Sequence, residues 1–196
     1  MTLLVAARTR KSAKRFPVIE ASPLVIREET RADVAAREAL LDAAFGEERF
    51  AKTSERLREG CKPARGLALT AALNGVFVGT VRLWNIDAGG APALLLGPLA
   101  VSAAHRTLGI GAALMLSAIR RTKSRGHKAV LLVGDEAYYG RFGFSSALTG
   151  DLALPGPVDR ARFLALELEA GALTGATGMV EATGEFFPAR AMRQAA

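Results

Sequence analysis

The segment Arg106–Ala112, with the sequence RTLGIGA, has the residue types and spacing that suit the binding of an anion. It lies between an apolar run, Leu94–Val101, and an Ala- and Leu-rich stretch that predicts a helix. The first N–H groups of a helix have no acceptors within it and lie at the positive end of its dipole. Gly109 and Gly111 would let a bulky group approach this end, and Arg106 would add charged donors. The segment therefore predicts a site for a diphosphate.

Two other phosphate loops do not fit this segment. A Rossmann fingerprint would need a glycine where Leu114 stands, and a Walker loop would need a Gly-Lys-Ser/Thr sequence that is absent. Glycines at this point could also serve only a tight turn and close helix packing. The loop by itself therefore does not identify its ligand.

A second segment supplies the identification. The Arg-x-x-Gly-x-Gly pattern after an apolar strand resembles the acyl-CoA pyrophosphate loop of the GNAT superfamily of N-acyltransferases. After the next predicted strand, Tyr139-Gly-Arg-Phe-Gly-Phe is similar to that family's Tyr-x-x-x-Gly-Phe segment. The two motifs agree in order and spacing. The resemblance covers the chain from Leu24 to the last predicted strand.

This resemblance implies a fold, a co-substrate and a set of binding residues. The implied fold class is α/β, with a mixed, mostly antiparallel sheet, a central splayed parallel strand pair and flanking helices. Acetyl-CoA would be the co-substrate, without a metal. The backbone of Leu99, Ala100 and Val101 would pair with the pantetheine amides as an added strand does. The pyrophosphate cradle would comprise Arg106, Thr107, Leu108, Gly109, Ile110, Gly111 and Ala112.

Tyr139 matches the family's tyrosine and is the expected catalytic residue. An amine that attacks a thioester must lose a proton, and the departing thiolate must gain one, so a neutral phenol is a suitable donor. Direct attack in a ternary complex needs no covalent enzyme intermediate, which agrees with the lack of a nucleophilic triad pattern in the sequence. Tyr138 is expected to form a wall of the cleft.

The general base stays open at this point. The strand Leu94–Val101 carries no glutamate, in contrast to the commoner pattern of the family. The alternatives are a water chain or one of four carboxylates: Glu47, Glu48, Asp135 and Glu136.

The remaining reactive residue types predict no further chemistry. Cys61 is the single cysteine, so it excludes an intramolecular disulfide and fits a reducing, cytoplasmic setting. We interpret it as an incidental surface residue. His105 is expected to be a solvated turn residue, and His127 has no special claim to function.

Several elements must position these residues. A strand, Leu24–Glu28, precedes a Thr30-x-x-Asp33 capping pattern and an amphipathic helix. A polar helix is predicted over Glu48–Arg58. The dipeptide Asn74-Gly75 predicts a hairpin, because both residues accept positive φ angles. The other predicted elements are strands at 66–73, 76–84, 94–101, 129–133, 161–168 and 179–183 and a helix at 109–125.

Composition and length limit the remaining alternatives. A chain of 196 residues, half of them hydrophobic, favours one folded domain, and no uninterrupted apolar stretch is long enough to span a membrane. The net charge of +7 lies mainly in an N-terminal arm, where five basic residues precede the first acid, Glu20. We therefore divide the chain into a flexible basic arm, residues 1–22, and an acetyltransferase domain, residues 23–196.

These observations favour a cytoplasmic N-acetyltransferase that acts on a small-molecule or protein amine. A non-catalytic acyl-CoA sensor is the alternative suggested by the missing strand glutamate. Nucleic-acid binding through the basic arm is a weaker hypothesis, since a solvated terminus explains the same charges. The family resemblance also implies that the late strands could pair two copies into a homodimer.

Overall fold

A computed structural model describes residues 24–187 of the chain. The strands are β1 (Leu24–Glu28), β2 (Ala68–Leu73), β3 (Val76–Ala88), β4 (Ala91–Val101), β5 (Ala129–Val133), β6 (Leu152–Ala153), β7 (Phe163–Glu167) and β8 (Gly178–Ala182). The α-helices are α1 (Val34–Phe45), α2 (Ile110–Ser124) and α3 (Glu136–Tyr139). Short 3-10 helices span Arg31–Asp33, Glu47–Ala51, Thr53–Glu55, Ala103–Leu108, Gly140–Phe142, Ser146–Thr149 and Arg160–Arg162. The predicted basic arm lies outside the described residues.

The strands form one mixed sheet in the order β1-β2-β3-β4-β5-β7, and β8 pairs with the end of β3 and with β6. Every neighbouring pair along the main path is antiparallel except β4 and β5, which are parallel. The predicted α/β fold with a mostly antiparallel sheet and a central parallel pair is confirmed. Within residues 24–187, no helix has both the length and the apolar character needed to cross a membrane.

Two apolar clusters lie on opposite faces of the sheet. One cluster packs α2, through Ile110, Leu114 and Met115, against alternate side chains of the strands. The other cluster contains Trp84 and Leu95 together with Phe163 of β7 and Val180 of β8. Strands that bury side chains on both faces read as continuous apolar runs, which is why β4 and β5 were recognisable in the sequence.

A buried cluster of three charged side chains joins β1, α1 and β3. Glu29, just after β1, accepts hydrogen bonds from Arg37 of α1 and from Arg82 of β3, the latter at 2.8 Å and 3.1 Å. The Glu29 side chain is 7% exposed and that of Arg37 is 9% exposed. The pKa of Arg82 is lowered by burial, with the Glu29 carboxylate opposing that shift. This charge cluster fixes α1 on the sheet face opposite α2.

The predicted turns and caps have the expected geometry. Asn74 and Gly75 adopt φ angles of 55° and 76°, as the hairpin prediction requires. The Asp33 carboxylate accepts hydrogen bonds from the Thr30 backbone N–H at 2.7 Å and from its hydroxyl at 2.8 Å. Arg27 also binds this carboxylate and holds its pKa well below the usual range.

The predicted polar helix over Glu48–Arg58 is wrong. Lys52 is extended, with φ −66° and ψ 138°, and it separates two short 3-10 helices. The side chains beyond this break bind a distant loop: Thr53 donates to the Pro157 carbonyl at 2.6 Å and Arg56 to the Pro155 carbonyl at 2.5 Å. Tertiary contacts therefore override the local helix propensity here.

Candidate active site

The candidate site is a cleft that opens where β4 leaves β5. The two strands pair only at Leu94 with Val130 and at Leu95 with Leu131. Beyond Leu95 they diverge and bound a cleft of about 770 Å³. The backbone groups of β4 that face β5 past this point have no partner strand, so the splayed pair creates an edge inside the sheet.

A bulge in β4 marks the point of divergence. Gly97 and Pro98 lie opposite the single residue Arg82 of β3, and the Trp84 Nε1–H donates to the Gly97 carbonyl at 2.6 Å. After the bulge, Leu99 and Val101 line the cleft. Of the three β4 residues predicted to bind the pantetheine arm, Ala100 alone turns its side chain away, and it is 4% exposed.

The predicted pyrophosphate cradle forms one end of the cleft. Gly109 adopts a left-handed conformation with φ 73° and directly precedes α2, whose first N–H groups have no acceptor within the helix. The cradle residues that line the cleft are Arg106, Thr107, Gly109, Gly111 and Ala112. The other two could contribute only backbone groups, since the Leu108 side chain is 58% exposed and that of Ile110 is buried in the core.

Tyr138 lies in the wall of the cleft, across from the start of α2. A Cβ atom on Gly111 would lie 2.8 Å from the Tyr138 hydroxyl oxygen, so the absence of a side chain at 111 makes room for this contact. The Arg141 guanidinium lies over the Tyr138 ring at 4.0 Å from its centroid. Both side chains border the cavity.

Tyr139 lines the same cleft from the end of α3. The Asp135 side chain caps this helix by accepting a hydrogen bond from the Ala137 N–H at 3.1 Å. The Tyr139 ring packs edge-on to Phe144, with 6.1 Å between the ring centroids. Burial raises the pKa of Tyr139 to about 12, with a further contribution from Tyr138 and an opposing one from Arg162. The phenol is therefore neutral at physiological pH and can donate a proton.

The carboxylates in the cleft differ from those expected. Of the four candidates from the sequence, only Asp135 lines the cavity, whereas Glu47, Glu48 and Glu136 do not. Glu136 instead accepts hydrogen bonds from the backbone N–H and hydroxyl of Ser146, each at 3.2 Å.

Sequence reasoning missed Glu55 and Arg58, which also line the cleft. They form an ion pair at 2.9 Å across one turn. Both residues belong to the stretch that the sequence predicted to be a polar helix, where charged side chains normally face solvent. No motif marks them, so only the tertiary structure reveals their position.

Cys61 and His105 do not line the cleft. The expectation that Cys61 is a surface residue is wrong: it is 3% exposed, pairs through its backbone with Phe186, and its thiol pKa is raised by burial. His105 places Nδ1 3.2 Å from the Ser102 hydroxyl oxygen. Among residues 24–187, no three His, Cys, Asp or Glu side chains come together as a metal site.

Comparison with known proteins agrees with this geometry. The acetyltransferase (GNAT) family model matches residues 34–144. The uncharacterised N-acetyltransferase YhbS of Escherichia coli K12 is 33% identical over 160 residues, which cover 81% of this chain and 95% of that protein.

Two solved structures are also similar. The crystal structure of E. coli YhbS in complex with CoA has a TM-score of 0.73 and 32% identity over 85% of this chain and 93% of its own. A GNAT family acetyltransferase from Brucella melitensis in complex with acetyl-CoA has a TM-score of 0.57 and 25% identity, over 85% and 92% of the two chains. The protein described here therefore belongs to the acetyltransferase (GNAT) family.

Proposed function

We propose that this protein transfers an acetyl group from acetyl-CoA to a primary amine by direct attack within a ternary complex. The observation that carries the proposal is the convergence of three features on one cleft: the unpaired edge of β4, the start of α2 and the Tyr139 residue. The related proteins whose structures contain CoA or acetyl-CoA support this choice of co-substrate.

The donor would lie along the diverging strand. The pantetheine amides would pair with the free backbone groups of β4 between Leu99 and Val101, as an added strand does. The pyrophosphate would accept hydrogen bonds from the first N–H groups of α2, next to Gly109 and Gly111, and from Arg106. This orientation directs the thioester toward Gly97 and Tyr139.

The chemical step forms a C–N bond and breaks the C–S bond of the thioester. The neutral amine attacks the acetyl carbonyl carbon, and the Tyr139 hydroxyl donates its proton to the departing CoA sulfur. The proton that the amine loses returns to the tyrosinate through water. A pKa near 12 favours that return, because a buried tyrosinate is a strong base.

We assign the removal of the amine proton to water in the cleft. Both carboxylates that line the cavity already have partners: Glu55 forms an ion pair with Arg58, and Asp135 accepts a hydrogen bond from the Ala137 N–H. Since the cleft is open to solvent, water can reach an amine that approaches the thioester. The rate gain would then come mainly from the positioning of two bound reactants.

Two measurements test this function. CoA and acetyl-CoA should each raise the melting temperature, because ligands that bind only the native state stabilise it. Acetyl-CoA with a panel of primary amines should release free thiol. Thermal stabilisation without thiol release from any amine would favour the acyl-CoA sensor, and the absence of stabilisation would overturn the co-substrate assignment.

The variant Gly111→Val tests whether CoA binds at the start of α2. A branched side chain at 111 would meet the Tyr138 hydroxyl and fill the cradle, so CoA should no longer raise the melting temperature. Gly150→Ala is the control, because a Cβ atom there has nothing within 4 Å and residue 150 lies outside the cleft. Normal CoA binding by Gly111→Val would exclude the cradle assignment.

A further inference from the structure

Arg58 is a buried cation in the wall of the cleft. Its side chain is 8% exposed, and burial lowers its pKa. Two of its three guanidinium nitrogens have partners: Nε donates to the Ser54 carbonyl and Nη2 to the Ser54 hydroxyl, each at 3.1 Å, while Nη2 also contacts Glu55. The 3-10 turn that carries these partners therefore holds the guanidinium in one orientation.

The third nitrogen, Nη1, faces the point where β4 leaves β5. It lies 3.8 Å from the position that a Cβ atom on Gly97 would occupy, and Gly97 lines the same cavity. No hydrogen-bond acceptor for Nη1 exists among residues 24–187. Nη1 is not among the buried side-chain atoms that lack a partner, so it is accessible from the cleft and can donate to a bound ligand or to water.

Basic side chains outnumber acidic ones in the lining of the cleft. Six basic side chains line it, against two acidic ones: Arg49, Lys52, Arg58, Arg106, Arg141 and Arg162 against Glu55 and Asp135. Arg49 is already paired with Glu38 and Asp42. Within the described part of the chain, neither Lys52 nor Arg162 has a carboxylate within ion-pair distance.

Arg58 is too far from the phosphate cradle to serve the donor there. The strand continues for four residues from Gly97 to Val101, a length on the order of 10 Å, before the chain reaches the cradle. Arg162 also belongs to the reacting end, since its carbonyl accepts from the Gly134 N–H at 2.8 Å and its charge acts on Tyr139. Arg58 and Arg162 therefore lie near the reacting end of the cleft and away from the phosphate cradle.

We propose that the acceptor is a small primary amine that carries a carboxylate, which Arg58 Nη1 binds at the wall of the cleft. This inference rests on the proposed acetyltransferase function and names its substrate class. The carboxylate accepts a charge-assisted hydrogen bond from Nη1, and Lys52 and Arg162 attract it electrostatically. Its amine is then directed toward the thioester beside Gly97.

The test compares amines that differ only in the anionic group. We choose 4-aminobutyrate against 4-aminobutyramide and 6-aminohexanoate against 6-aminohexanamide, because the amine lies several bonds from the change and keeps nearly the same reactivity. The wild-type protein should show a kcat/KM at least about 10-fold higher for each acid than for its amide, mainly through KM. An aminoalkylphosphonate included beside them distinguishes a carboxylate site from one that accepts any anion.

Three variants assign the preference to Arg58. Arg58→Gln should reduce the acid-to-amide ratio to within about 3-fold while CoA still raises the melting temperature. Lys52→Gln and Arg162→Gln change exposed side chains and should each lower the ratio partially. The matched control is Arg65→Gln, which removes one exposed charge outside the cleft and should leave the ratio unchanged.

A second readout does not depend on turnover. With CoA at saturation, each acid should raise the melting temperature of the wild-type protein further than its amide does, and Arg58→Gln should lose this difference. Thiol release at equal rates from acids and amides, or no acid-specific stabilisation, would overturn the carboxylate site while leaving the acetyltransferase function intact. An equal loss of rate for acids and amides in Arg58→Gln would place Arg58 on the donor instead.

Discussion

The Tyr139 ring packs against Gly134 so closely that a Cβ atom at position 134 would lie 2.1 Å from the ring carbon Cε2. Gly134 directly follows β5, and its N–H donates to the Arg162 carbonyl at 2.8 Å, which fixes its backbone. The orientation of the phenol in the cleft therefore depends on the absence of a side chain five residues earlier in the chain.

Gly134→Ala should displace the Tyr139 ring without removing its hydroxyl. We expect kcat to fall by at least about 10-fold, because a shift of about 1 Å in a catalytic group is sufficient for such a loss. The thermal stabilisation by CoA should remain. Gly140→Ala is the matched control, since its new methyl would lie at an ordinary contact distance, 4.0 Å from Glu136 Cγ. Full activity in Gly134→Ala would show that the ring position is not important for turnover.

Tyr139→Phe should separate chemistry from binding. Loss of the proton donor should lower kcat by about 10², while CoA binding stays close to that of the wild-type protein. Steady-state thiol release and calorimetry with CoA provide the two readouts. A fully active variant would remove Tyr139 from the mechanism.

The raised pKa of Tyr139 can be measured directly, because the chain has only two tyrosines. In Tyr138→Phe, the tyrosinate absorbance reports Tyr139 alone. Its pKa should stay clearly above the value of about 10 for an unperturbed phenol, because burial is the main cause of the shift, although the smaller contribution of Tyr138 is lost. A midpoint near 10 in the folded protein would contradict the burial of this hydroxyl.

The raised pKa of Tyr139 also determines the direction in which stability changes with pH. A folded-state pKa above that of the unfolded chain means that the folded protein retains the Tyr139 proton over a wider range. This contribution to the free energy of unfolding is fully present below about pH 10 and is lost as the pH rises toward about 12. Tyr139→Phe should therefore unfold with a weaker pH dependence in that window.

Glu29→Gln should destabilise the fold strongly, because it leaves Arg82 buried without a carboxylate partner and Arg37 with Glu38 alone. Removal of one member of a buried charged group costs about 3 kcal/mol or more. Urea unfolding measures the change. The neighbouring Glu28→Gln is the control, since Glu28 is exposed and should alter the free energy of unfolding by less than about 0.5 kcal/mol. Similar values for the two variants would argue against the charge cluster as a stabilising element.

Local signals were sufficient to predict much of the fold. The hairpin at Asn74-Gly75 and the helix that follows Gly109 depend on backbone angles that few residue types favour. The predicted strands at 161–168 and 179–183 correspond to β7 and β8. The predicted strands at 76–84 and 94–101 are shorter than the observed ones, because β3 and β4 continue to the turn at Gly89-Gly90.

The acceptor side of the cleft could not be predicted in the same way. The donor side depends on a contiguous loop whose glycines are visible in the sequence, whereas Arg58 reaches the cleft because its turn binds a loop about a hundred residues away. Charged residues in a polar stretch give no sign of burial. Only the pairing of Ser54 and Glu55 with the guanidinium distinguishes this arginine from its exposed neighbours.

The extra residue at Gly97-Pro98 reverses which side chains of β4 face α2. Before it, Leu94 and Leu96 face that helix; after it, Leu99 and Val101 do so. Deletion of either residue would rotate the second half of the strand by half a turn and present the methyl group of Ala100 to the bound co-substrate. The first half of β4 would keep its place in the core. The bulge at Gly97-Pro98 therefore determines the shape of the cleft along β4 without changing the rest of the fold.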